Sequence, residues 1–239
     1  MPKGQCLLCA AESELQLSHV LPAFVFRWKR ESSGNGHMRC GSSPNKRVQG
    51  GVKRRWLCTS CEGLLSCSET AFATKLFHPY TSGESTRIIY DEWLLHFCVS
   101  VSWRVLQFHK EENSLKGYEP DAIAHIAQAE SVWKEFLLGR QPHPEQFEQH
   151  LIPFVAMESI SFPKDEVSPY LNRYLMRTVE MDLCRGRKAI YVYANSVGLP
   201  FLVSSVRSSE VDGKARKSMS KRASSSRAQI SFLGHSAST

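Results

Sequence analysis

Nowhere does this 239-residue chain approach the roughly 18 uninterrupted apolar residues that a membrane-spanning helix requires. Its most hydrophobic helix-like stretch is bounded by Asp91 on one side and by Arg104 and Lys110 on the other. The opening Met1-Pro2-Lys3-Gly4-Gln5-Cys6 has no apolar core of the kind a secretory leader carries, so the expected compartment is the cytoplasm, or the nucleus where the source has one. Compositional bias is also missing over most of the chain. With 42% hydrophobic and 22% charged residues, it reads as an ordinary globular sequence. Acids are nearly absent from one segment: between Arg27 and Arg55, Glu31 is the sole carboxylate.

Eight cysteines have to be explained in a reducing compartment, where structural disulfides are disfavoured. Four fall into two C-x-x-C pairs, Cys6/Cys9 and Cys58/Cys61. Cys40, Cys67, Cys98 and Cys184 have no paired spacing, and Cys98 sits in an apolar run where it reads as a small core residue. Two pairs supply the four soft ligands that tetrahedral Zn²⁺ takes. A thioredoxin-like redox site needs one pair rather than two. A closed Cys₄ set has no open coordination position, so this zinc is expected to be structural.

The acid-poor segment lies between those pairs. It holds Arg27, Lys29, Arg30, Arg39, Lys46, Arg47, Lys53, Arg54 and Arg55 and accounts for the whole net charge of +7. Positive charge concentrated beside a zinc scaffold is the footprint of a phosphate-backbone binder. The expected partner is nucleic acid, DNA ahead of RNA, and no membrane. A solvated, flexible loop is the bland alternative.

Periodicity divides the chain into units. Leu15 to Val20 alternates as a short strand, ended by Pro22, and Ala23 to Arg30 is a short amphipathic segment with Phe24, Phe26 and Trp28. Ser32 to Gly51, rich in Gly, Ser, Asn and Pro, is a loop or hairpin, and Val52 to Leu57 returns as a strand. A helix is expected from Thr59 or Ser60 to a stop at His78-Pro79-Tyr80, with Glu62 and Glu69 on its otherwise apolar stripe of Leu65, Phe72 and Leu76. Knuckle, strands, then a helix opening on the second pair is the treble-clef (ββα) order. Helices follow over Tyr90–Lys110, Pro120–Arg140 and Ser168–Glu180, then a hairpin of Ala189–Ala194 and Leu199–Val206 turning at 195–198. The expected class is therefore α+β: a zinc module over residues 1–80, a mainly helical domain over 85–206 that ends in a β-hairpin, and a basic, Ser-rich tail over 207–239 without packed structure.

The run Cys6-x-x-Cys9, Ser18-His19-Val20-Leu21-Pro22 and Leu57-Cys58-x-x-Cys61-Glu62 resembles the zinc-bearing HNH endonuclease family over about residues 5–76. That resemblance implies a metal-dependent hydrolase of phosphodiester bonds. His19 would be the general base and Asn45 its orienting partner. Glu62, where the family usually has histidine or asparagine, would bind the catalytic Mg²⁺ or Mn²⁺, with Glu69 two turns later facing the same way. Two departures stand out. Ser18 occupies a position where many members have an aspartate or histidine ligand, and Glu62 replaces the last histidine of the family name. Carboxylates suit hard cations, so the departures fit either a rebuilt site or a degenerate one. Two non-enzymatic readings remain beside it. One is a zinc-dependent nucleic-acid-binding module using the same basic segment. The other is an interaction adaptor with Trp28, Trp56 and Trp93 lining a partner surface, or with the helical domain taking a protein partner. His96, His109, His125, His143 and His150 have no mutual spacing that marks a site.

Overall fold

The computed structural model describes residues 2–40, 43–84, 89–152, 177–186, 189–196 and 201–207. Over these residues helix and strand are mixed in an α+β arrangement, with the four paired cysteines gathered near the N-terminus. A first antiparallel sheet has the order β1-β2-β5, formed by Lys3–Gln5, Glu12–His19 and Lys53–Cys58. Helix α1 (Ala23–Glu31) follows β2, and a two-stranded ribbon, β3 (Met38–Cys40) with β4 (Ser43–Val48), occupies the Gly/Ser-rich stretch. The basic segment is thus ordered as a helix, a ribbon and a sheet strand.

β2 departs from simple alternation in a way that matters below. Its register against β5 shifts between Gln16 and Ser18. A single-residue slip exchanges the two faces of a strand. Leu17 is accordingly 53% exposed, while Ser18 is turned inward at 4%.

α2 (Thr59–Phe72) starts on the second cysteine pair, and Glu62 lies in its first turn, where the helix dipole favours an anion. The helical path ends at Thr81, one residue past the expected stop at His78-Pro79-Tyr80. It widens into one π-helical turn over Ala73–Phe77 and continues as α3 (His78–Thr81). Pro79 follows that π-helical turn and stands second in α3.

α4 (Glu92–Glu111) is capped by Asp91, whose Oδ1 accepts from the Trp93 N–H at 3.2 Å. It is buried nearly all round, which makes it the central element. α5 (Pro120–Leu137) has Pro120 in its first turn, and Gly139 past its end takes φ +69°, where glycine carries no Cβ penalty.

The remaining strands make a second antiparallel sheet of order β6-β9-β8-β7: Gln149–Ile152, Phe201–Arg207, Ala189–Ser196 and Val179–Arg185. β8 and β9 pair from Ala189↔Arg207 to Ala194↔Leu202, which is the expected hairpin pairing; positions 197–200 lie outside the described residues. The expected helix over Ser168–Glu180 falls mostly on residues that are not described. At its end it is corrected, because Val179 and Glu180 open β7, where Val179, Met181 and Leu183 alternate inward. The 208–239 tail is outside the described residues.

One apolar core runs from the cysteine loops through α2 and α4 to the second sheet, including Leu8, Leu57, Phe72, Phe97, Trp133 and Val192. Phe72 of α2 stacks on Phe97 of α4 with ring centroids 3.7 Å apart. Phe72→Ala should therefore lower stability by about 3–5 kcal/mol, read as a fall in the urea midpoint with zinc held in excess.

Candidate metal centre and the surface beside it

The cysteine site is built from two turns and a helix start. In the first turn the Ala10 N–H donates to the Cys6 carbonyl at 2.8 Å, and the Cys6 N–H donates to the Ala11 carbonyl at 2.9 Å. Ala10 takes φ +63°, a left-handed conformation unfavourable for a residue with a Cβ. The Leu7 N–H reaches the Trp56 carbonyl at 2.8 Å and ties this knuckle to β5. In the second turn the Cys58 sulfur caps α2, accepting from the Cys61 N–H at 3.5 Å.

All four sulfurs lie within 4.8 Å of one another, and Cys9 Sγ and Cys58 Sγ are 3.8 Å apart. A tetrahedron with Zn–S near 2.3 Å has sulfur–sulfur edges of about 3.8 Å, so the set is compatible with zinc. Burial raises the Cys6 thiol, but the N–H groups of Cys9, Cys58 and Leu8 outweigh it and bring its pKa down to about 7. Burial and the surrounding thiols push the Cys61 thiol up. Four thiolates this close repel one another unless a cation sits among them, and metal binding releases their protons. Among the described residues this is the one group of three or more His, Cys, Asp or Glu side chains whose ligand atoms are gathered closely enough for a metal.

Next to it, α2 lies against the end of β2. Ser18, turned inward by the register shift, donates from its hydroxyl to Glu62 Oε2 at 2.5 Å. His19 follows, half-buried, with its ring stacked on Phe26 at 6.0 Å. Burial lowers the His19 pKa; Lys53, opposite it on β5, and Arg104 lower it further, and Glu69 opposes them.

Glu69 has a different partner from Glu62. Arg104 of α4, 3% exposed, pairs with Glu69 Oε1 at 2.6 Å, and its other nitrogens donate to the His19 carbonyl at 3.1 Å and the Ser100 carbonyl at 3.2 Å. The two carboxylates expected to act together are thus separated, one on Ser18 and one on Arg104. Asn45 is exposed on β4, where the β3–β4 register slips, and no hydrogen bond among the described residues joins it to His19. In the sequence Arg104 stands at the polar end of an apolar run. A charged residue surrounded by Ser100, Val101 and Val105 was the available sign that it needs a buried partner.

The basic residues sort into two groups. Arg27, Arg30, Arg39, Lys46, Arg47, Lys53 and Arg55 are exposed. Arg54 is committed to Glu111 at 2.8 Å and Glu112 at 2.6 Å and lies over the Phe108 ring. Lys29 is partly buried beneath Arg177, which donates to its carbonyl and packs over Trp28. Of the tryptophans expected on a partner surface, Trp56 is buried, while Trp28 and Trp93 are partly buried, meeting Phe77 edge-on and Phe72 respectively. No described helix is long and apolar enough to cross a membrane.

Compared with protein-family models, curated proteins and solved structures, the chain matches none of them.

Purified protein should carry about one zinc per chain by elemental analysis, and Cys58→Ser should lose it and broaden the amide spectrum of β1, β2 and β5, because a Cys₄ set needs every thiolate. Arg104→Ala should cost about 3–5 kcal/mol, because it leaves Glu69 without its cation. The double variant Arg104→Ala/Glu69→Gln should recover part of that loss in denaturant unfolding.

Proposed function

We propose that this chain is a zinc-stapled, metal-dependent endonuclease of the HNH type, acting on DNA in preference to RNA, and that its cysteine module is a treble clef. What carries the reading is the contact between the Ser18 hydroxyl and the Glu62 carboxylate at 2.5 Å, with His19 next in the strand. Positions 18 and 62 are those at which the resembled family places its divalent-metal ligands. They lie 44 residues apart in sequence and meet here. Two oxygen donors suit Mg²⁺ or Mn²⁺, which prefer oxygen ligands.

The order of elements supports the treble-clef assignment: a knuckle at Cys6–Cys9, strands β2 and β5, and α2 opening on Cys58–Cys61. The zinc in this reading is scaffold, since four thiolates leave it no open position. When bound at Ser18 and Glu62, a divalent ion supplies charge stabilisation for the leaving oxygen. His19 accepts the proton of the attacking water, its ring held against Phe26 and its backbone carbonyl held by Arg104. The exposed cations of α1, β3, β4 and β5 hold the phosphate backbone.

A specific observation favours a second reading, nucleic-acid binding without cleavage. Glu69 is neutralised by Arg104, and Asn45 stands on the ribbon rather than beside His19. Plasmid nicking in Mg²⁺ or Mn²⁺ separates the two. The nuclease reading expects metal-dependent nicking that falls by about 10²-fold or more in His19→Ala, the usual range for losing a general base, and also falls in Glu62→Gln, with DNA affinity retained. Wild-type protein that binds but never cuts leaves the second reading. Protein that neither binds nor cuts overturns both.

A further inference from the structure

Lys53, Arg54 and Arg55 stand in a row at the start of β5, and the fold gives each a different surrounding. Arg54 is turned to α4 and held there by Glu111 and Glu112. Arg55 reaches across β2 and donates to the Leu15 carbonyl at 2.9 Å. Lys53 is exposed, and among the described residues no carboxylate pairs with it.

The register places that free ammonium group. β2 and β5 pair His19 directly with Lys53. Residues directly opposite in an antiparallel pair share a face of the sheet, with Cβ atoms roughly 5 Å apart. Lys53 is accordingly among the charges that act on the His19 ring. For the fold alone this pairing has no benefit, since two groups that can both be cationic repel across a strand pair.

The backbone around the pair is nonetheless tightly held. Gly51 lies so close to the Phe26 ring that a Cβ there would overlap it, and Phe26 stacks on His19. The Val52 carbonyl accepts from the Val20 N–H at 3.0 Å. From the α4 side Arg104 donates to the His19 carbonyl at 3.1 Å. A base and a cation are thus fixed side by side on one face, and the flexible four-carbon stem of the lysine lets its ammonium reach beyond the histidine ring.

Phosphodiester hydrolysis uses that combination. The water oxygen bonds to phosphorus, its proton passes to His19, and the bond from phosphorus to the leaving sugar oxygen breaks with its electron pair on that oxygen. Negative charge grows on the non-bridging oxygens as the attack proceeds. A cation placed on them stabilises the transition state more than the bound substrate.

We infer that Lys53 grips the phosphate under attack, its ammonium on a non-bridging oxygen while His19 takes the proton of the attacking water. This rests on the nuclease reading above and deepens it: among the exposed cations, Lys53 acts in the reaction, and the others hold neighbouring phosphates.

The test is plasmid nicking by the zinc-loaded full chain in Mg²⁺ or Mn²⁺, with kcat and KM measured for wild type, Lys53→Met and Lys53→Arg. Lys53→Met should lose about 10²-fold in kcat, the usual range for removing one donor to a developing oxyanion, while KM changes far less. Lys53→Arg keeps the charge and should recover part of kcat. Reductive methylation of wild-type protein without added Mg²⁺ or Mn²⁺ needs no variant: duplex DNA should shield Lys53 and leave Lys116, exposed and outside the basic segment, open to the reagent. The role of Lys53 is overturned if Lys53→Met, with zinc content and circular dichroism unchanged, keeps the wild-type kcat, if its whole loss lies in KM, or if duplex leaves Lys53 as reactive as before. Each of those results leaves the nuclease reading standing. Wild-type protein that binds DNA but never cuts it removes the nuclease reading and the Lys53 role together. Should Lys53→Met lose its zinc, the methylation comparison on wild type decides alone.

Discussion

Cys6 and Cys58 are 52 residues apart, yet the Cys58 N–H points at the Cys6 sulfur at 3.4 Å. Closing so long a loop costs entropy, and crowding four thiols within 4.8 Å costs electrostatic energy once they ionise. A divalent cation among the four sulfurs would offset both, and the geometry of the two turns fixes what lies beside them. Convergence of the two turns holds β2 against β5, and the second turn sets where α2 begins and which way it runs. Once α2 leaves Cys58 in that direction, Glu62 has to pass the end of β2. The slip between Gln16 and Ser18 decides that a hydroxyl meets it there rather than the side chain of Leu17. The cysteine module therefore acts at a distance, by fixing which side chains of two distant segments share a surface.

A second tie fixes the module to the rest of the molecule. Arg104 is a buried cation with a carboxylate at 2.6 Å and two backbone carbonyls. A buried charge is tolerable only when it is paired and hydrogen-bonded, so α4 can pack in one register against α2 and β2. Arg54 repeats the tie at the surface, reaching from β5 to Glu111 and Glu112 at the end of α4. The continuity of the core from Leu8 to Val192 is the apolar counterpart of these two bridges. The backbone at His19 thus depends on a helix some 85 residues further along the chain, because Arg104 donates to the His19 carbonyl.

Much of this could be read in the residues themselves. The cysteine pairs, the strand returning into Cys58, the helix beginning after it and the long apolar α4 are local patterns that the structure has within a residue or two, while β2 begins at Glu12, three residues before the expected Leu15. The turn at Gly139 was legible because a residue at positive φ past a helix end is most easily glycine. Other features were not local. The π-helical turn over Ala73–Phe77 leaves no mark in the spacing of the apolar residues. The identity of the partners of Glu62 and Glu69 depends on which strand and which helix face α2, and a stripe of spacing cannot say which of two acids meets a hydroxyl and which a guanidinium.

The clustering of the paired cysteines, the sign and place of the charge and the kind of most elements follow from the residues alone, because thiol chemistry, net charge and side-chain periodicity belong to the residues wherever they end up. Packing settles that Glu69 pairs with Arg104, that Asn45 is exposed on a ribbon, and that Trp56 is buried while Trp28 and Trp93 lie against the core. Each of those outcomes is a competition between partners brought together from far along the chain, and burial, which makes an unpaired charge or an exposed aromatic costly, settles it only once the packing exists.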